Sequence, residues 1–149
     1  NWQVIILIAA LIPVGTVMTT SGTAEWIGNF ISSIAMKTPD DWQPRVILAL
    51  VYLIAMILTE VSSNAATAVI MTPVAIAVSN QMGLDARPFV LAVAFAASAS
   101  FLTPVGYQTN LMVYGPGGYK FSDYIRVGFP LALLFWLTAI ILLPIIWPV

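Results

Sequence analysis

Of the 149 residues, 60% are hydrophobic and 7% are charged, with a mean hydropathy of +0.98. A water-soluble domain carries about 25% charged residues, so a soluble globule is excluded and the chain reads as an all-α, polytopic membrane protein. The net charge of −1 excludes a nucleic-acid footprint, and the lack of His and Cys excludes imidazole relays, thiolate metal sites, disulfides and thiol catalysis.

The chain opens on Asn1 without an initiator Met, a basic leader or a cleavage pattern, and is expected to be a piece of a longer one. Apart from Glu25 and Glu60, every charge falls in polar connectors near 37–45, 80–88 and 119–126. The apolar stretches between them must satisfy their own backbone groups as helices. Residues 2–18 form a first span of about 25 Å, bent at Pro13-Val14-Gly15. Residues 23–36 place Trp26, Ile27, Phe30, Ile31 and Ile34 on one helical face, as expected of a helix along the membrane surface or one packed across a bundle.

Residues 45–81 contain two apolar helices joined by Thr59-Glu60-Val61-Ser62-Ser63-Asn64, which suits a re-entrant hairpin with both ends on one side. Residues 88–116 begin as a small-residue helix rich in Ala and Ser, as close helix packing in a membrane requires. Thr103-Pro104-Val105-Gly106 interrupts that helix, because Pro removes a donor and disfavours helix at the residue before it. Residues 126–147 form a final span, expected to be a plain anchor with Pro130 in its first turn.

An interruption inside a bilayer is costly unless it is buried in protein or lines a cavity. Broken helices aim half-helix N-termini at anions and freed carbonyls at cations. The first interruption, Ser62 to Thr67, offers N–H groups at a helix start and the side-chain oxygens of Ser63, Asn64 and Thr67. Read blandly, Ser63 and Asn64 only cap that helix. The second, TPVGYQTN, offers Thr103, Gly106, Gln108, Thr109 and Asn110; Gly106 frees a carbonyl to turn outward, and Thr109 or Asn110 caps the resumed helix. Its bland reading is a proline kink. Glu60 lies beside the first interruption, where a fixed negative charge would repel a bound anion. Its expected role is therefore bracing, through Thr59 or backbone, rather than ligation. Ser98 and Ser100 are read as packing residues. No catalytic constellation is present, so the chain is not read as an enzyme.

TEVSSNAATAVIMTPVAIAV, followed by FLTPVGYQTNLMVYGPGGYKFSDYIRVGFPL, resembles the divalent anion:sodium symporter (DASS) family of the wider ion transporter superfamily, especially bacterial permeases of the TrkA-C-containing type. The resemblance covers nearly the whole chain. It implies the second half of an inverted-repeat transporter of the cell membrane, with a missing N-terminal repeat of the same chain, a homodimeric assembly and no cofactor beyond Na⁺ as coupling ion. It further implies a divalent anion as substrate, sulfate or a di- or tricarboxylate, with 23–36 as a horizontal arm helix and 45–81 as the re-entrant hairpin.

Ser63, Asn64, Thr67, Gln108, Thr109 and Asn110 would contact the anion, and Ser63, Asn64, Gly106, Tyr107 and Asn110 would contact Na⁺. The family's Ser-Asn-Thr tip reads Ser63-Asn64-Ala65 here, and its Thr-Pro-Pro-Asn reads Tyr107-Gln108-Thr109-Asn110. Tyr107, Gln108 and Thr109 therefore match by position only. Alternatives within the superfamily are a proton-coupled antiporter or an arsenite or citrate exchanger. Outside it, the alternative is a non-transporting anchor or assembly subunit.

Overall fold

The computed structural model describes residues 2–148. The described residues form α1 (Trp2–Thr20), α2 (Thr23–Ala35), a 3-10 turn (Asp40–Trp42), α3 (Gln43–Thr59), α4 (Asn64–Met82), α5 (Ala86–Ala97), α6 (Gln108–Tyr114) and α7 (Phe121–Ile146). Local chemistry sets several of these ends. Ser63 caps α4 by accepting the Ala66 N–H at 3.2 Å, and Gly83 ends that helix in the left-handed region at φ 67°. Asp85 caps α5 by accepting the Arg87 N–H at 2.9 Å.

The core lies among α3, α4 and α5, which pack on one another, with α2 laid against α3 and α4. Tyr52, Ile47 and Val51 of α3, Val74 and Val78 of α4, and Phe89 of α5 are almost wholly buried there. α2 does not bury the whole of its large apolar face, as a helix along the membrane surface would not. Ala24, Gly28, Ile31, Ser32 and Ala35 pack inward, while Trp26 and Phe30 are 71% and 57% exposed. Close approach favours the choice: a Cβ on Gly28 would stand 3.2 Å from Val78, so small residues let α2 lie near α4.

Both arms of the hairpin are longer than the sequence led us to expect. The 3-10 turn runs into α3 to give an apolar segment Asp40–Thr59, and α4 extends over Asn64–Met82. Each, like α7, is long and apolar enough to cross a membrane. Pro44 at the start of α3 suits that continuation, because the first turn of a helix needs no donor from it.

The last helix also departs from expectation. It begins at Phe121, because the Asp123 carboxylate accepts the Lys120 N–H at 2.8 Å and caps the start. Pro130 therefore lies in the helix interior rather than in its first turn. Only Gly128, Ala132 and Leu143 of α7 are buried, and Phe129, Leu134, Ile141 and Ile145 face outward. Such a surface is stable in hydrocarbon and not in water.

Candidate functional site

The helix break is longer than the Pro104 signal alone indicates and begins earlier. The helix expected to reach Leu102 stops at Ala97, and regular helix resumes only at Gln108. Two tight turns, Ser98 N–H to Phe95 O at 3.1 Å and Ala99 N–H to Ala96 O at 3.0 Å, close α5. Beyond them the backbone loses its helical acceptors, and a side chain from another element supplies replacements.

That side chain is Glu60, at the end of α3. Its Oε1 accepts the N–H groups of Phe101 and Leu102, both at 2.9 Å, and its Oε2 accepts that of Thr103 at 2.8 Å. The Thr103 hydroxyl donates to the Glu60 carbonyl at 2.8 Å and accepts the Gly106 N–H at 3.1 Å. Glu60 is 6% exposed. A carboxylate so buried is tolerable only with its lone pairs occupied, and here successive backbone donors occupy them. The bracing expected of Glu60 thus reaches across to the break rather than staying within the hairpin.

Asn64 and Asn110 sit at the two ends of one network. The Thr59 hydroxyl lies 2.9 Å from Asn64 Oδ1 and 2.7 Å from the Ala97 carbonyl, which compete for its single proton. Asn110 Nδ2 reaches back to the carbonyls of Ser100 at 3.0 Å and Thr103 at 3.3 Å. It therefore braces the loop instead of capping α6, whose N-cap Tyr107 makes no side-chain cap bond. Tyr124 of α7 donates to the Asn110 carbonyl at 2.9 Å, and Tyr114 and Tyr119 pack around its ring.

Gly106 is needed for closeness rather than for an unusual backbone angle. Its φ is not positive, and a Cβ there would stand 2.7 Å from the Thr59 carbonyl oxygen and collide with the Ser100 hydroxyl. Gly128 of α7 does the same from the other side, since a Cβ would strike the Phe101 carbonyl. With Phe135 edge-on to Phe101 at 5.2 Å between ring centres, α7 is a wall of the break and not a plain anchor. A cleft of about 420 Å³ opens there, lined by Phe101, Asn110, Asp123, Tyr124, Gly128 and Leu131 among others.

The structure brings Asn64, Gly106 and Asn110 into this network. Ser63 is exposed and caps α4; the N–H groups of Asn64 and Ala65 precede the first intrahelical bond, Thr67 N–H to Ser63 O at 2.9 Å, and have no acceptor within the helix. Thr67 is fully buried, and its hydroxyl has no partner among the described residues. Tyr107, Gln108 and Thr109 are exposed, with no side-chain hydrogen bond among the described residues. Sequence reasoning took Ser100 for a packing residue and passed over Tyr124, whereas Thr59 and Thr103 were in view. An acid four residues before α4, beside the Ser/Asn-rich tip, was the available signal, but the donors it accepts from lie about 40 residues away.

Comparison with known proteins shows the family. The model of the sodium:sulfate symporter transmembrane region matches residues 1–149. An uncharacterized transporter of a Synechocystis species is 45% identical over 149 residues, covering 100% of this chain and 24% of that protein. Sodium/sulfate cotransporter 2 of Chlamydomonas reinhardtii is 30% identical over 139 residues, 93% of this chain and 15% of that protein. The sodium-dependent dicarboxylate transporter SdcS of Staphylococcus saprophyticus is 30% identical over 130 residues, 86% of this chain and 24% of that protein. The chain thus spans about a quarter or less of the length of these relatives. It belongs to the sodium:sulfate symporter family, the divalent anion:sodium symporters, and is a multi-pass protein of the cell membrane.

Proposed function

We propose that this chain forms half of the site at which a secondary transporter couples Na⁺ to uptake of a divalent anion, sulfate or a di- or tricarboxylate. The observation that carries the reading is the union of hairpin tip and helix break, through Thr59, Glu60 and Thr103, into one hydrogen-bonded unit. Unpaired helix-start N–H groups suit an anion, and clustered carbonyl, amide and hydroxyl oxygens suit a hard cation. Ser63, Asn64, Gln108, Thr109 and Asn110 serve the anion, with Thr67 behind them. Ser63, Asn64, Gly106, Tyr107 and Asn110 serve Na⁺.

In this reading the hairpin enters and leaves on one side, a first repeat supplies the other half-site, and the transporter works as a homodimer without enzymatic activity. The names of the sodium/sulfate and dicarboxylate relatives support the ion and the substrate class. Uptake of labelled sulfate and succinate by the full-length protein in vesicles at clamped potential tests it. Uptake should collapse when Na⁺ is replaced by K⁺ or choline. Uptake that follows a pH gradient and ignores Na⁺ would assign proton coupling instead.

A further inference from the structure

Glu60 is an unusual side chain for the interior of a membrane protein. It is 6% exposed, and among the described residues the one ion pair, Arg87 with Asp85, does not involve it. What holds the carboxylate is a run of three successive backbone N–H groups, those of Phe101, Leu102 and Thr103, at 2.8 to 2.9 Å. Successive N–H groups turned to one side form an anion-binding concavity. Here the bound anion is internal.

Two further contacts make the junction stiff. Thr103 Oγ bridges the Glu60 carbonyl and the Gly106 N–H, and the missing side chain of Gly106 lets its backbone press on Thr59 and Glu60.

We propose that Glu60 is a positioning residue: it occupies the N–H groups of the break so that transported anions cannot, and it pins the break to the hairpin tip so that both present their ligands together. The inference rests on the transport reading for its activity readout. Released from the pin, the break would hold its ligand-competent geometry for only a fraction of the time. Apparent affinity falls by that fraction, while saturating ligand restores the competent state.

Glu60→Gln is the informative change, because an amide offers one acceptor oxygen and turns an NH₂ group toward a backbone N–H. The half-saturating concentrations of Na⁺ and anion should both rise, by roughly ten- to a hundredfold, as expected when a buried donor is left unpaired. The maximal rate per folded transporter should stay near wild type. A variant that was merely less stable would show unchanged half-saturation, with total uptake lowered only in proportion to the folded protein. That pattern, or wild-type kinetics in folded protein, overturns the proposal.

Should Glu60→Gln fail to accumulate, Thr103→Val removes the bridging hydroxyl and should shift half-saturation in the same direction by a few-fold; unchanged half-saturation there counts against the pin. Amide hydrogen exchange provides an arm independent of transport. The amides of 101–103 should be protected in the wild type and exposed in the folded variant used, and equal protection in both overturns the pin. Wild-type protein without Na⁺-dependent uptake would defeat the transport reading, and the exchange arm would still decide the pin.

Discussion

Several positions in this chain are defined by how little space surrounds them. Gly106 sits where a Cβ would stand 2.7 Å from the Thr59 carbonyl oxygen and 3.0 Å from Glu60 Cα. Neither neighbour is the flexible end of a side chain, so the backbone itself would have to move. Gly106→Ala is expected to destabilise the protein by roughly 1–3 kcal/mol, as overpacking of a fitted site does. The thermal unfolding midpoint in detergent measures this, with Gly115→Ala as the control, since nothing lies within 4 Å of a Cβ there. An equal midpoint for the two variants would mean that the Glu60 junction is looser than its contacts indicate. The carboxylate of Glu60 and the amide of Asn110 act in the complementary sense. One supplies acceptors and the other donors to a loop whose own groups have lost their helical partners.

Among the elements, the hairpin and the broken helix belong together. The end of α3 supplies the acceptors that terminate α5, so the break is a property of two elements and not of Pro104 alone. The last helix adds a wall through Gly128, Phe135 and Tyr124, and is tied to the hairpin by Trp136 Nε1 donating to the Ala49 carbonyl at 3.0 Å. Gly128→Val would drive α7 off the break at Phe101 and Leu102. We expect uptake per folded transporter to fall by at least about tenfold, since misplacing a ligating loop by an ångström or so forfeits its pairing. Leu134→Val, at a 60% exposed position of the same helix, should leave uptake near wild type. Equal uptake in the two variants would return α7 to the role of an anchor.

For the molecule as a whole, the apolar exterior of α7 and the outward aromatic face of α2 belong in hydrocarbon or against further protein, because leaving such area in water costs about 25 cal/mol per Å². Among the described residues the Thr67 hydroxyl is unpaired, and the N–H groups of Asn64 and Ala65 precede the first intrahelical bond of α4, which leaves the tip short of partners. Ligands that supply them should stabilise the folded protein. Na⁺ together with sulfate or succinate, each near 100 times its dissociation constant, should add about 2.7 kcal/mol per site. The unfolding midpoint of the full-length transporter should therefore rise with Na⁺ and anion, and not with K⁺ at the same ionic strength. A midpoint indifferent to the cation would count against Na⁺ binding.

Composition alone determined that this chain lives in a membrane as helices, because so few charges cannot face water and an unpaired backbone cannot face lipid. Local signals were equally legible: Ser63 before α4, Gly83 after it, and Pro104 at an interruption. Those signals act within a few residues and can be read along the chain. What the tertiary structure decided was which groups meet across long separations. The break begins near Ser98 because Glu60, about 40 residues earlier, takes the N–H groups that would otherwise seek helical acceptors. The inward face of α2 carries Ala24, Gly28, Ser32 and Ala35 around Ile31 because α2 and α4 lie close, a Cβ on Gly28 already standing 3.2 Å from Val78. Hydrophobic period could not foresee that choice, since in hydrocarbon an apolar face has no preference for the interior and close packing selects instead.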